Sequence, residues 1–148
     1  MPFKFLALLS FVAFASAAPV GPFNIRSAVD GPSALLTAAG SQPDSPVLLV
    51  ETPSSTLWTY DSETGYFTDV DTELVITIDS SGEGLETQAQ EGSSNQRWAW
   101  SEDTAQITSD DGRCVTRTGE GERLEVRLES CEEGITNEQQ WLPFSHPS

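Results

Sequence analysis

Lysine is almost missing from this chain. The only one is Lys4, near the start, and six arginines stand against 23 acidic residues further on. Such an acidic excess repels phosphate backbones and anionic lipid, so nucleic-acid and membrane partners are set aside. Its first effect is to keep the protein in solution. Histidine is nearly as scarce: His146, in a Pro-flanked tail, is the only one. That excludes the common zinc ligand sets and leaves the serines without a base for nucleophilic catalysis. No Gly-rich phosphate loop follows a strand, and Gly82-x-Gly84 and Gly119-x-Gly121 read as turns. No Asn-x-Ser/Thr sequon follows Asn24, Asn95 or Asn137. No window holds an apolar face at helical period beyond one turn, so long helices are not expected.

Carboxylates are plentiful, but their arrangement does not point to catalysis. Asp69 and Asp71, Asp110 and Asp111, and Glu132 and Glu133 fall in turn-like segments. Glycoside hydrolysis needs two carboxyls facing each other across a cleft, one of them with a raised pKa. The run Asp69-Val70-Asp71-Thr72-Glu73 lacks the glycine and the spaced terminal glutamate of an EF-hand loop. The sequence therefore reads as a non-enzyme with no cofactor and no metal.

Long apolar runs are confined to the start. Phe5 to Phe14 is interrupted only by Ser10, follows Lys4, and precedes the small-residue cleavage pattern Ala15-Ser16-Ala17. This is the pattern of a secretory signal peptide over residues 1–17. Cleavage after Ala17 is preferred to cleavage after Ala18, because Pro19 would follow the second cut. The remainder, 18–148, has the size of one domain. Export makes a disulfide between the two cysteines, Cys114 and Cys131, the default state. Such a bridge is worth roughly 3 kcal/mol in the chain-entropy model.

The most informative residues present are tryptophans. Trp58, Trp98 and Trp141 cut the domain into pieces of about 40 residues. Two of them close Gln-x-Trp triplets, Gln96-Arg97-Trp98 and Gln139-Gln140-Trp141, while Thr56-Leu57-Trp58 keeps only the tryptophan. Repeats are expected at about 22–58, 59–98 and 99–142. Tyr60 and Trp100 each lie two residues after a motif tryptophan, on the same strand face as it. Phe67 matches Ile107, and Leu74-Val75 matches Cys114-Val115, with no gap between the second and third repeats. Short β-branched runs such as 46–50, 74–78 and 124–128, separated by Gly, Pro, Asp and Ser, predict an all-β domain of about twelve strands. Three such units closed around a pseudo-threefold centre place the motif tryptophans in a shared core. Gln96 and Gln139 would then be buried and bonded to backbone.

This pattern resembles the ricin-B-type lectin family, whose fold is a β-trefoil. The third repeat carries it best, through Gly112-Arg113-Cys114-Val115, Val126 to Cys131, and Asn137-Glu138-Gln139-Gln140-Trp141. The second carries it through Leu74-Val75 and Asn95-Gln96-Arg97-Trp98. The resemblance implies carbohydrate binding. In the family's sugar-binding repeats an aspartate follows the first cysteine by two residues, and an aromatic precedes the second by two. An asparagine precedes the glutamine of the motif. Here those positions hold Thr116, Glu129 and Glu138 in the third repeat. The second offers Ile76, or Thr77 if the register slips, then a residue near Gln90, and Asn95. The first offers Thr37 or a neighbour, Val50 or Glu51, and Ser55. The least degraded pocket is expected around Asn95 and Gln96, with Thr77 and Asp79.

Two functions follow. One is a secreted glycan-binding module. The other is a secreted domain that binds an extracellular protein, such as a protease inhibitor or effector, through Gly40–Pro46 or Thr118–Arg123. Among aromatics outside the motif, Trp100 is expected in the core or under the cap, and Tyr66 at the surface.

Overall fold

The computed structural model describes residues 20–29, 34–51, 56–119, 123–134 and 136–144. The expected leader, 1–17, lies outside them. Twelve strands follow in chain order. They are β1 (Val20–Ser27), β2 (Ala34–Ala38), β3 (Ser45–Glu51), β4 (Trp58–Asp61), β5 (Tyr66–Asp69) and β6 (Val75–Ile78), then β7 (Leu85–Gln88), β8 (Trp98–Trp100), β9 (Ile107–Ser109), β10 (Arg113–Thr118), β11 (Glu125–Ser130) and β12 (Trp141–Phe144). Among the described residues the helical ones form two single 3-10 turns, Ser94–Gln96 and Asn137–Gln139. No helix among the described residues is long and apolar enough to cross a membrane.

Six strands close on one another. β1 pairs with both β12 and β4, β4 with β5, and β8 with β9. Two backbone bonds complete the circuit: Trp98 N–H donates to the Gly65 carbonyl at 2.9 Å, and Trp141 N–H to the Ala105 carbonyl at 2.8 Å. Closure removes the free edges that would otherwise template aggregation. The other six strands form three hairpins, β2–β3, β6–β7 and β10–β11. These cap one end of the barrel and touch each other. Ser45 and Pro46 of β3 pair with Thr87 and Glu86 of β7. Leu128 N–H of β11 reaches the Glu83 carbonyl of the β6–β7 turn at 2.7 Å.

The core forms where alternating strand residues turn inward. Trp58 and Trp141 are fully buried and Trp98 nearly so, among Ile25, Leu36, Leu49, Phe67, Ile76, Val115 and Leu128. A buried indole needs a partner for its N–H. Each motif tryptophan finds it on its own cap hairpin: Trp58 on the Leu36 carbonyl at 3.0 Å, Trp98 on Ile76 at 2.9 Å and Trp141 on Val115 at 2.9 Å. One device is thus used three times to fasten a hairpin to the barrel.

That device also fixes the register between copies. Leu36, Ile76 and Val115 are equivalent, and so are the residues that follow them: Thr37, Thr77 and Thr116. Each of these threonines donates its hydroxyl to the carbonyl two residues back, at 3.1, 3.0 and 2.9 Å. The gap-free alignment of the second and third repeats is therefore corrected. Thr68 pairs with Val75, whereas the matching Thr108 pairs with Cys114. Between these paired residues the β5–β6 connection is one residue longer than the β9–β10 connection, and Glu73 takes the same left-handed conformation, φ 64°, as its counterpart Gly112, φ 91°. The disulfide joins Cys114 to Cys131 across the β10–β11 hairpin, with Cα atoms 5.0 Å apart.

Candidate functional site

The sequence pointed to Asn95, Gln96, Thr77 and Asp79, at the second cap hairpin. The structure brings Thr77 and Gln96 together. Gln96 is fully buried. Its amide nitrogen donates to the Ala89 carbonyl at 2.8 Å and to the Thr77 hydroxyl at 3.3 Å, and its oxygen accepts from Glu91 N–H at 2.8 Å. Gln139 repeats the pattern with Ser130, Thr116 and Glu132, at 2.9, 3.1 and 2.8 Å. Both glutamines thus tie the segment before the motif tryptophan to its hairpin. Asn95 lies beside Gln96 in the 3-10 turn and is exposed. Asp79 accepts from Ser81 N–H at 3.0 Å and Gly84 N–H at 3.2 Å, closing the β6–β7 turn. Burial alone would raise its pKa. Hydrogen bonds from Ser81, Gly84 and Gly82 outweigh burial and hold the carboxyl below its ordinary value.

Register shows which residues occupy the three positions expected from the resemblance. The aspartate position is Thr37, Thr77 or Thr116. The aromatic position is the residue paired across the hairpin with Leu35, Val75 or Cys114, namely Val50, Gln88 or Glu129. Gln88 replaces the expected neighbourhood of Gln90, because hairpin pairing, not distance along the chain, sets the match. The asparagine position holds Asn95 and Glu138, and Ser55 of the first repeat lies outside the described residues. A carboxylate that accepts from two hydroxyls and a ring face that packs on C–H groups orient a sugar. No carboxylate stands at the three threonine positions, and no ring stands at Val50, Gln88 or Glu129.

Aromatics gather elsewhere, at the barrel mouth opposite the caps. Phe23, Tyr60, Phe67 and Trp100 form one cluster, with ring centroids 4.5 to 5.9 Å apart. A hollow of about 660 Å³ opens beside them, lined also by Trp141 and Pro143 and rimmed by Ser62, Ser101 and Glu102. Trp100 is half-buried and faces this mouth. Its ring packs against the core, as expected, and borders the mouth rather than lying under the cap. Tyr66, expected at the surface, is half-buried too. Burial raises the Tyr60 pKa, against the opposing hydrogen bond from Trp100 N–H. The neutral phenol donates to the Trp98 carbonyl at 2.8 Å. A smaller, more polar hollow of about 360 Å³ lies between the β4–β5 turn and β8–β9, with Arg97, Glu63 and Asp110 on its walls.

The loops proposed for protein binding differ in what can be said of them. Gly40–Pro46 is tied to β7, through Asp44 N–H to the Thr87 carbonyl at 2.8 Å and Gln88 to the Asp44 carboxylate. Residues 120–122 of the second loop lie outside the described residues. Among the described residues no group of three His, Cys, Asp or Glu side chains is placed to hold a metal.

The family model for the ricin-type beta-trefoil lectin domain matches residues 22–141. The chain belongs to the ricin-type β-trefoil lectin family. That family is one of carbohydrate-binding, non-catalytic domains. Solved β-trefoil structures superpose over most of the chain at low identity. The mdaA-1 domain gives a TM-score of 0.70 at 20% identity, covering 90% of this chain and 96% of its own. The Vibrio vulnificus hemolysin/cytolysin β-trefoil lectin, solved with N-acetyl-D-lactosamine, gives 0.66 at 14%, covering 85% and 95%. The C-half of the earthworm R-type lectin, solved with GalNAc, gives 0.66 at 17%, covering 84% and 98%. No curated protein sequence matches the chain. In this trefoil lectin domain the glutamine and tryptophan of the motif serve the fold.

Proposed function

We propose that this protein is a secreted carbohydrate-binding module whose three cap-hairpin pockets are degenerate, built from three copies of about 40 residues around a pseudo-threefold axis. It acts by binding alone. The observation that carries the reading is the family match over residues 22–141. Sugar complexes of two structural relatives, with N-acetyl-D-lactosamine and GalNAc, support glycans as the ligand class. Degeneracy follows from threonine at all three aspartate positions and from Val50, Gln88 and Glu129 at the aromatic ones.

The second repeat keeps the most complete polar set. Asn95 offers an exposed amide, beside Gln96 and Thr77, which rigidify it from within, and Asp79 fixes the neighbouring turn. With no aromatic platform, binding there is weak and selective for hydroxyl geometry. A glycan array probed with the secreted protein, displayed multivalently, should give a small set of positive glycans. Asn95→Ala should abolish them without shifting the unfolding midpoint. An array blank at tens of micromolar protein would move the function to the alternative, a domain that binds an extracellular protein.

A further inference from the structure

The barrel-mouth hollow has no part in the cap-hairpin pockets, and it arises from the repeat itself. In β4, β8 and β12 the residue two past the motif tryptophan points the same way as the tryptophan and reaches the mouth. Those residues are Tyr60, Trp100 and Pro143, and all three line the hollow. Two large rings and one small proline cannot fill three equivalent places equally. The shortfall at Pro143 leaves the space open.

The chemistry of the walls narrows what can enter. The polar tips of the aromatics are committed to backbone. Trp100 indole N–H donates to the Trp141 carbonyl at 3.1 Å, Trp141 to Val115, and Tyr60 to Trp98. What these residues offer a ligand is ring carbon. Ser101 accepts from Thr104 N–H at 3.2 Å. A bare sugar, which needs many hydroxyls satisfied at once, finds few partners here. Among the described residues the lining offers an anion no cationic side chain, and the anion meets the Glu102 carboxylate at the rim in a molecule of formal net charge −16. A cation with an apolar body meets the reverse on each count. Its body covers ring surface, its charge sits against aromatic faces, and Glu102 supplies the counter-charge. The volume lies within the range of ordinary small-molecule sites.

We infer that the barrel mouth, walled by Phe23, Tyr60 and Trp100 and rimmed by Glu102, is a second binding site, for a small organic cation with an apolar body such as a quaternary ammonium. This site is independent of glycan binding at the caps.

The test uses the secreted protein and three soluble probes of one aromatic size: benzyltrimethylammonium, benzyl alcohol and benzoate. Titration is followed by NMR at the indole N–H signals of Trp58, Trp98, Trp100 and Trp141. The cation should move the Trp100 signal saturably, with a Kd on the order of 1 mM, and leave that of Trp58 in place. Benzoate should do nothing over the same range. Raising sodium chloride to about 0.5 M should weaken the cation. The exposed substitution Glu102→Gln should weaken it about three- to tenfold and leave benzyl alcohol unchanged. Equal binding of all three probes, a Trp100 signal that none of them moves, or displacement of the cation by lactose would each overturn the assignment. A blank glycan array has no bearing on it.

Discussion

Gln96 shows how a residue can carry a family signature and yet face inward. Its three hydrogen bonds hold the Ala89 carbonyl, the Glu91 N–H and the Thr77 hydroxyl. Gln96→Leu leaves all three without partners in a buried place, at a cost of about 2–3 kcal/mol. Urea unfolding should show that loss as a lower midpoint with an unchanged slope. Thr77→Val removes one partner and should cost less. The sequence made the tryptophans and glutamines legible, because a bulky indole and a long amide at fixed period have one economical use. The equivalence of Thr37, Thr77 and Thr116 was not legible. A hydroxyl bonded to its own backbone two residues back leaves no periodic trace, and the register rests on indole bonds that only the folded chain displays.

Asp111 is the clearest titrating residue. The Arg113 guanidinium and the Ser109 hydroxyl hold its carboxyl down at about 2. The folded value lies below the ordinary value of about 3.9. Its contribution to stability is therefore complete above about pH 4 and is lost as the pH falls towards 2. Asp79, also held low, acts in the same direction. Because Asp111 is exposed, its effect is modest. Asp111→Asn should lower the melting temperature slightly at pH 7 and leave it nearly unchanged at pH 2, so that the decline between pH 4 and 2 becomes shallower.

Among the elements, the hairpins and their fasteners carry the stability. Gly65 sits in the β4–β5 turn at φ 80°, where an added Cβ would lie 2.8 Å from the Trp98 backbone nitrogen. Gly65→Ala strains the backbone and presses on β8, which lacks an ordinary ladder partner there. A loss of about 2 kcal/mol or more is expected from thermal or urea unfolding. In the β10–β11 hairpin, replacing Cys114 and Cys131 together by alanine releases a 17-residue closure. This should cost about 3 kcal/mol. Strands were readable from their β-branched runs, including those of β3, β6 and β11. The extra residue in the β5–β6 turn was not, because turns tolerate insertions and a gap-free match looked equally good. That one residue moved the pocket position from Ile76 to Thr77. It is why the site was harder to place than the fold.

For the whole molecule, cap and mouth are separate surfaces. The caps hold the proposed glycan pockets, and the mouth holds the aromatic cluster. If the assignment of pocket positions is right, Thr116→Asp combined with Glu129→Trp rebuilds an acceptor and a ring face beside Glu138. Retention on immobilised galactose should rise above that of the parent. Unchanged retention, with an intact melting curve, would mean that these positions do not converge on one sugar. Composition foretold the separation only dimly: the pairing of Tyr60 with Trp100 was visible, but which end of a barrel they would reach was not.

β1 and β12 lie side by side, with Asn24 to Ser27 paired against Phe144 to Trp141. The first and last described strands are thus neighbours. A variant stitched from its last strand to its first, and reopened between Asp79 and Gly84, should build the same architecture from a different starting copy. It would begin life with a different hairpin emerging first, which makes the order of assembly, as distinct from its end point, open to experiment.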